Sequence, residues 1–193
     1  LDMDFSLSSE QNIIYNTAKE FGADAIAPNA LDWEKFEEIP KTMLKAAGDL
    51  GFAAMYVPES DGGTGMTRLD STLVFEALAL ACPSVSSFIS IHNMCAWIIS
   101  KNGTSEQKQK HLVPLLKMDK ICSYCLTEPG SGSDAAALAT KAVRTNEGYK
   151  LSGTKAFTSG GGYSDLYIVM ARSGVPGAKG ISAFLVQDGL DGL

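Results

Sequence analysis

Apolar residues recur at helical spacing through the first two-thirds of the chain and give way to short alternating runs in the last third. Ser8 and Gln11 have the spacing of a capping box, in which a hydroxyl and an amide satisfy backbone N–H groups left over at a helix start. Behind them Ile14, Ala18, Phe21 and Ala25 fall on one helical face, and Pro28 predicts its end. Pro40 opens a second helix, with Met43, Leu44, Ala47 and Leu50 as its apolar stripe and Gly51 suited to a left-handed cap. Residues 58–65, PESDGGTG, read as a loop. A third helix is predicted over 68–81, with Leu69, Leu73, Ala77 and Leu80 on one face. A fourth, over 84–100, is apolar on most sides, which predicts burial among other helices. Gly103 ends it, Thr104 and Gln107 form another capping box, and Pro114 cuts or kinks the short helix that follows.

The character changes near Met118. Short β-prone runs cover 121–126, 142–145, 149–152, 156–158, 166–171 and 181–186, separated by glycine-bearing turns such as Asn146-Glu147-Gly148 and Ser152-Gly153. The chain therefore reads as α+β in sequential blocks. An all-α domain over 1–118 is followed by an incomplete antiparallel β-barrel or β-sheet domain over 119–193. The last run is followed by residues 187–193 only, so a barrel would keep an unpaired edge there, and the natural protein is expected to continue.

Composition narrows the function classes. With 193 residues and 45% of them hydrophobic, the chain can bury a core. A net charge of −6 argues against a nucleic-acid binder, which needs a basic face. No apolar run reaches the roughly 18 uncharged residues of a membrane span. Residues 1–4 are acidic with no apolar stretch behind them, so either the protein is cytosolic or a targeting segment has been removed. Four cysteines in this length fit a reducing compartment better than a disulfide framework.

Chemistry concentrates in residues 124–134, YCLTEPGSGSD, where a strand runs into a turn of glycines and small hydroxyl residues. Such a turn offers backbone N–H groups and hydroxyls to a ligand that comes very close, as phosphates and flavin edges do. It has three readings. Gly130, Gly132 and Ala135 match a nicotinamide-dinucleotide fingerprint, with Glu147 near the acidic position, but residues 135–141 leave no room for the long helix that motif needs. A plain surface turn is the second reading. A flavin site is the third.

Residues 124–134 resemble the flavin signature of the acyl-CoA dehydrogenase family, and residues 153–160, GTKAFTSG, resemble its second flavin segment at a fitting separation. Residues 50–52, 58–65 and 103–108 extend the resemblance over nearly the whole chain. Residues 90–97, SIHNMCAW, with 123–127, SYCLT, most resemble members acting on isobutyryl-CoA, a short branched acyl-CoA of valine breakdown.

The resemblance implies an FAD enzyme that makes a 2-enoyl-CoA from a saturated acyl-CoA. It implies that Tyr124, Cys125, Leu126, Thr127, Gly130, Gly132 and Ser133 line the flavin and its phosphates. Leu126 and Thr127 would meet the ring, and Phe157, Thr158 and Ser159 would approach from the other side, Thr158 near N5. Phe157 stands where relatives often carry Trp, so stacking area is kept and an indole donor lost. Ser133 would also contact the CoA part of the substrate. The catalytic base, a glutamate of a C-terminal helical domain, is expected beyond Leu193, so this chain holds no catalytic residue and by itself is expected not to catalyse. A mitochondrial matrix location, electron-transfer flavoprotein as acceptor and a homotetramer are further implications. The competing function is a non-catalytic helical interaction module derived from the same fold.

Other residues have plainer readings. Glu76, in an apolar stretch, fits the edge of a buried face better than a base. His92 fits a satisfied core or substrate-pocket histidine. Cys122 and Cys125 form C-x-x-C without a second pair, and residues three apart in a strand point to opposite faces, so neither zinc nor redox chemistry is implied. Asn102-Gly103-Thr104 matches a glycosylation sequon, and reads as a helix end followed by a cap.

Overall fold

A computed structural model describes residues 5–193. The acidic start at residues 1–4, read above for targeting, lies outside the described residues. Contacts divide the chain into two compact units, one ending at Asp119 and the other Lys120–Leu193.

The first unit is helical. Helix α1 (Ser9–Phe21) starts at the expected box: the Ser8 hydroxyl accepts from the Gln11 N–H, and the Gln11 side chain accepts from the Ser8 N–H. Ala18 is buried on the predicted stripe, and Phe21 meets Phe52 edge to face with centroids 6.1 Å apart. Pro28 does not end the helical path. A π-turn (Gly22–Ile26) and a 3-10 turn (Ala27–Asn29) absorb it, because its missing N–H falls in the first turn of a new segment, and α2 (Ala30–Phe36) follows.

Helix α3 (Lys41–Asp49) buries Met43, Leu44 and Ala47, and Gly51 takes the left-handed conformation at φ 86° while its N–H reaches the Gly48 carbonyl. Leu50 is 45% exposed, off the stripe predicted for it. Helix α4 (Arg68–Ala81) opens on a capping box between Thr67 and Asp70. It buries Ser71, Leu73, Val74, Ala77 and Leu78, whereas Leu69 and Leu80 point outward. The buried face is rotated from the predicted one by about a quarter of a turn, because a helix this apolar offers several candidate stripes. Helix α5 (Pro83–Asn102) is the buried helix expected. Gly103 and the Thr104 box follow, then α6 (Ser105–Gln107), a π-turn (Lys108–Leu112) and a 3-10 turn (Val113–Leu115) that accommodates Pro114.

Two polar residues on α5 tie loops to it. Asn93, fully buried, accepts from the Met55 N–H at 2.7 Å and donates to the carbonyls of Phe52 at 2.6 Å and Ile89 at 2.9 Å. His92, also fully buried, donates from Nε2 to the Leu115 carbonyl at 3.0 Å. Burial holds its pKa down to about 4, although that hydrogen bond favours the protonated ring. His92 is the satisfied core histidine of the plainer reading.

The second unit is a five-stranded sheet: β1 (Cys122–Cys125), β2 (Lys141–Thr145), β3 (Gly148–Ser152), β4 (Leu166–Arg172) and β5 (Ile181–Gln187). The helices-then-sheet class holds. The sheet is open rather than a closed barrel, and mixed rather than antiparallel. β1 runs parallel to β4 with Cys122 opposite Leu166, β2 joins β4 in parallel at Arg172, β3 folds back on β2, and β5 pairs antiparallel along all of β4. β4 is the hub, flanked on both edges, and its near-continuous burial reflects that. The run at 156–158 is not a strand. Phe157 takes φ 53°, which breaks any extended segment there. Cys125 packs with Tyr167 and Val169, and all four cysteines are thiols outside any disulfide. Among the described residues no helix is long and apolar enough to cross a membrane, and no His, Cys, Asp and Glu cluster could hold a metal.

Candidate functional site

Strand β1 delivers the chain into the glycine-rich segment, which folds as a narrow hairpin tip. Glu128 and Ser131 exchange N–H···O bonds at 3.0 and 3.1 Å, with Pro129 and Gly130 exposed at the tip. Ser131 is buried, and its hydroxyl donates to the Asp134 carbonyl at 2.7 Å. Gly132 and Ser133 are exposed. The second segment leaves β3 at Gly153, whose φ of 159° and contact with Thr140 admit no side chain: an added Cβ would lie 2.7 Å from the Thr140 Cα.

A buried ion pair joins the two segments. Lys155 Nζ lies 2.8 Å from Glu128 Oε1, with the two side chains 11% and 7% exposed. Lys155 also donates to the Leu126 carbonyl at 2.9 Å. Glu128 accepts from the N–H groups of Ala139 at 2.6 Å and Thr140 at 2.9 Å. Burial alone would push the Glu128 carboxyl up. The Lys155 ammonium and these N–H donors outweigh it and bring the pKa down to about 2. One residue further along each segment, the Ala156 N–H donates to the Thr127 carbonyl at 2.8 Å.

Beyond Phe157 the chain turns back on the strands. Ser123, fully buried on β1, donates to the Ser159 carbonyl and lies 2.6 Å from the Ser164 hydroxyl. The Gly162 N–H donates to the Tyr167 hydroxyl at 3.1 Å. On the far side, Arg172 donates to the carbonyls of Ala136 at 2.8 Å and Leu138 at 3.0 Å, holding the stretch after the hairpin tip to the end of β4.

The residues singled out in the sequence are thus brought into two adjoining segments, in two kinds of environment. The Cys125 side chain belongs to the sheet's core. Tyr124, Leu126, Thr127 and Thr158 are half-buried, while Gly130, Gly132, Ser133 and Ser159 are exposed. Phe157 is 94% exposed. Among the described residues, the hydroxyls of Thr127, Ser133, Thr158 and Ser159 make no hydrogen bond within the chain. Gly130 and Gly132 have no atom within 4 Å of where a Cβ would stand, so neither neighbouring atoms nor a left-handed φ requires glycine there. Sequence reasoning missed Ser123, Glu128, Ser131, Lys155 and Arg172. An acid and a base 27 positions apart carry no periodic signal, so only the folded register reveals their pairing.

Residues 8–119 match the family model for the acyl-CoA dehydrogenase N-terminal domain, and residues 123–193 match the model for its middle domain. The chain belongs to the acyl-CoA dehydrogenase family. Over all 193 residues it is 48% identical to the mitochondrial isobutyryl-CoA dehydrogenase of Bos taurus, of which it covers 46%. It is also 48% identical over 188 residues to the mitochondrial isobutyryl-CoA dehydrogenase of Dictyostelium discoideum, covering 45% of that protein. Among solved structures, butyryl-CoA dehydrogenase from Megasphaera elsdenii superposes with a TM-score of 0.87 at 34% identity, over 98% of this chain and 50% of that one. An FAD complex of PigA superposes with a TM-score of 0.90 at 31% identity, over 98% and 51% respectively. The chain therefore spans about half the length of these acyl-CoA dehydrogenase relatives.

Proposed function

We propose that this chain contributes the helical and sheet domains of an FAD-dependent dehydrogenase that converts isobutyryl-CoA to its 2-enoyl-CoA in valine breakdown. The observation that carries the flavin reading is the division within the two joined segments. The inward side chains of Glu128, Ser131 and Lys155 are engaged, while outward hydroxyls, one aromatic ring and two roomy glycines are left for something outside the chain. That set suits a large planar cofactor bearing phosphates. The branched substrate is supported by the 48% identity to two proteins named isobutyryl-CoA dehydrogenase, against 36% to a short-chain-specific acyl-CoA dehydrogenase of Clostridium acetobutylicum.

When bound, the flavin supplies the acceptor for the β-hydride. Leu126, Thr127, Thr158 and Ser159 would hold it by backbone and hydroxyl groups, Phe157 by ring stacking, and Tyr124, the Cys125 backbone, Gly130, Gly132 and Ser133 along its remaining length. Ser133 also serves the CoA moiety. Holding the β-carbon and its acceptor in register supplies much of the rate in such a reaction. The α-proton needs a base, and Glu128 is not one: at a pKa of about 2, fixed between an ammonium and two N–H groups, it is too weak to take that proton. Glu76 is exposed on α4. The resemblance to the family implies instead a glutamate of a C-terminal helical domain, outside these 193 residues. A mitochondrial matrix enzyme, tetrameric and passing electrons to an electron-transfer flavoprotein, completes the proposal.

The test is an anaerobic titration of the full-length protein with isobutyryl-CoA and n-butyryl-CoA, following the visible flavin band. Bleaching by isobutyryl-CoA at least as complete as by n-butyryl-CoA is expected. Bleaching by the straight chain alone would overturn the branched substrate, and absence of any flavin band would overturn the site.

A further inference from the structure

From the links that converge on Lys155, we infer that Lys155 and Glu128 are positioning residues that set the flavin-facing groups in place before the cofactor arrives. This inference rests on the flavin reading of the site.

Thr127 is bracketed. The carbonyl of its predecessor Leu126 accepts from Lys155, its successor Glu128 pairs with Lys155, and its own carbonyl accepts from the Ala156 N–H. Those three links fix the peptide units on both sides of Thr127 and leave its hydroxyl outward. The same links hold Lys155 and Ala156, the two residues before Phe157 and Thr158. Glu128 extends the clamp to a third stretch through Ala139 and Thr140.

An apolar pair of equal volume would fill this space, and buried ion pairs are not in themselves a source of stability. No apolar pair could donate to the Leu126 carbonyl while accepting from two N–H groups. What the pair confers is one defined arrangement of two segments, in a position sheltered enough for charge-assisted bonds to be strong. Phe157 shows that the arrangement is imposed rather than relaxed. Its backbone is left-handed and its ring is in solvent, a state that local preference and burial both disfavour.

The experiment compares unaltered full-length protein with Lys155→Met and Lys155→Arg, measuring FAD dissociation by flavin fluorescence and folding by circular dichroism without FAD. Lys155→Met is expected to stay folded and to bind FAD about tenfold more weakly, the equivalent of one charge-assisted bond, with Lys155→Arg restoring part of the loss. FAD binding by Lys155→Met equal to that of the unaltered protein would overturn the inference. Should Lys155→Met fail to fold, hydrogen exchange on the unaltered protein decides. Protection of the Ala139, Thr140 and Ala156 amides that is the same with and without FAD supports a preset site. Protection that appears only with FAD overturns it. If the unaltered protein holds no flavin, the flavin reading fails and this inference with it.

Discussion

The helical unit and the sheet unit both bury polar side chains, and they use them differently. In the helical unit Asn93 and His92 each reach across to a loop backbone of the same unit. Asp61 likewise takes Ser100 at 2.6 Å and Lys108 at 2.8 Å, joining a loop to two helical segments. These are internal braces. In the sheet unit Glu128, Lys155, Ser123 and Ser131 do the same on one side of two segments, and on the other side a row of hydroxyls is left unanswered. Burial of polar groups alone does not mark a functional site. A site shows where a well-braced backbone presents polar groups with no internal partner.

Removing a brace should have the largest effect. Asn93→Ala leaves the Met55 N–H and the Phe52 carbonyl buried without partners, and should destabilise the helical unit by about 4 kcal/mol in denaturant unfolding. Acid should separate the two units next. His92 is depressed from 6.5 to about 4 in the folded state, so the unfolded chain takes its proton first. The stability from keeping it neutral is complete above pH 6.5 and is lost as pH falls towards 4, a total of about 3 kcal/mol. Glu128 is depressed from 4.5 to about 2, so its contribution is complete above pH 4.5 and is lost in the lower window. Unfolding followed against pH should therefore show an upper loss that His92→Gln removes and a lower one that Glu128→Gln removes. The smallest effect belongs to the unanswered hydroxyls. Thr127→Ala and Thr158→Ala should leave the unfolding free energy within about 0.5 kcal/mol of the parent while weakening FAD retention or altering flavin reduction. A large loss of stability in either would erase the distinction between brace and site.

What the sequence disclosed follows the range over which each signal acts. The boxes at Ser8 and Thr104, the cap at Gly51 and the break at Gly103 depend on residues three or four apart, and each was readable. The rotation of α4, with Leu69 and Leu80 outward, depends on what packs against it, which periodicity does not specify. The stretch at Ala156 to Thr158 was mistaken for a strand because its residues favour extension, and the clamp at Lys155 overrides that preference. The outward residues of the candidate site are proposed through resemblance, whereas the pairing of Glu128 with Lys155 depends on tertiary register and has no such signal.

The central place of β4 also fixes an order of events during synthesis. β1 has no partner strand until Leu166 to Val169 have been made, and β2 can form only its hairpin with β3 before Arg172 emerges. The hairpin tip after β1 is complete much earlier in translation, and Glu128 can then meet only the Ala139 and Thr140 N–H groups until Lys155 and then β4 follow it out of the ribosome. On the proposed flavin reading, the two segments are therefore joined only after most of this chain has been translated, and a nascent chain stalled short of Arg172 would carry both segments without the sheet that joins them.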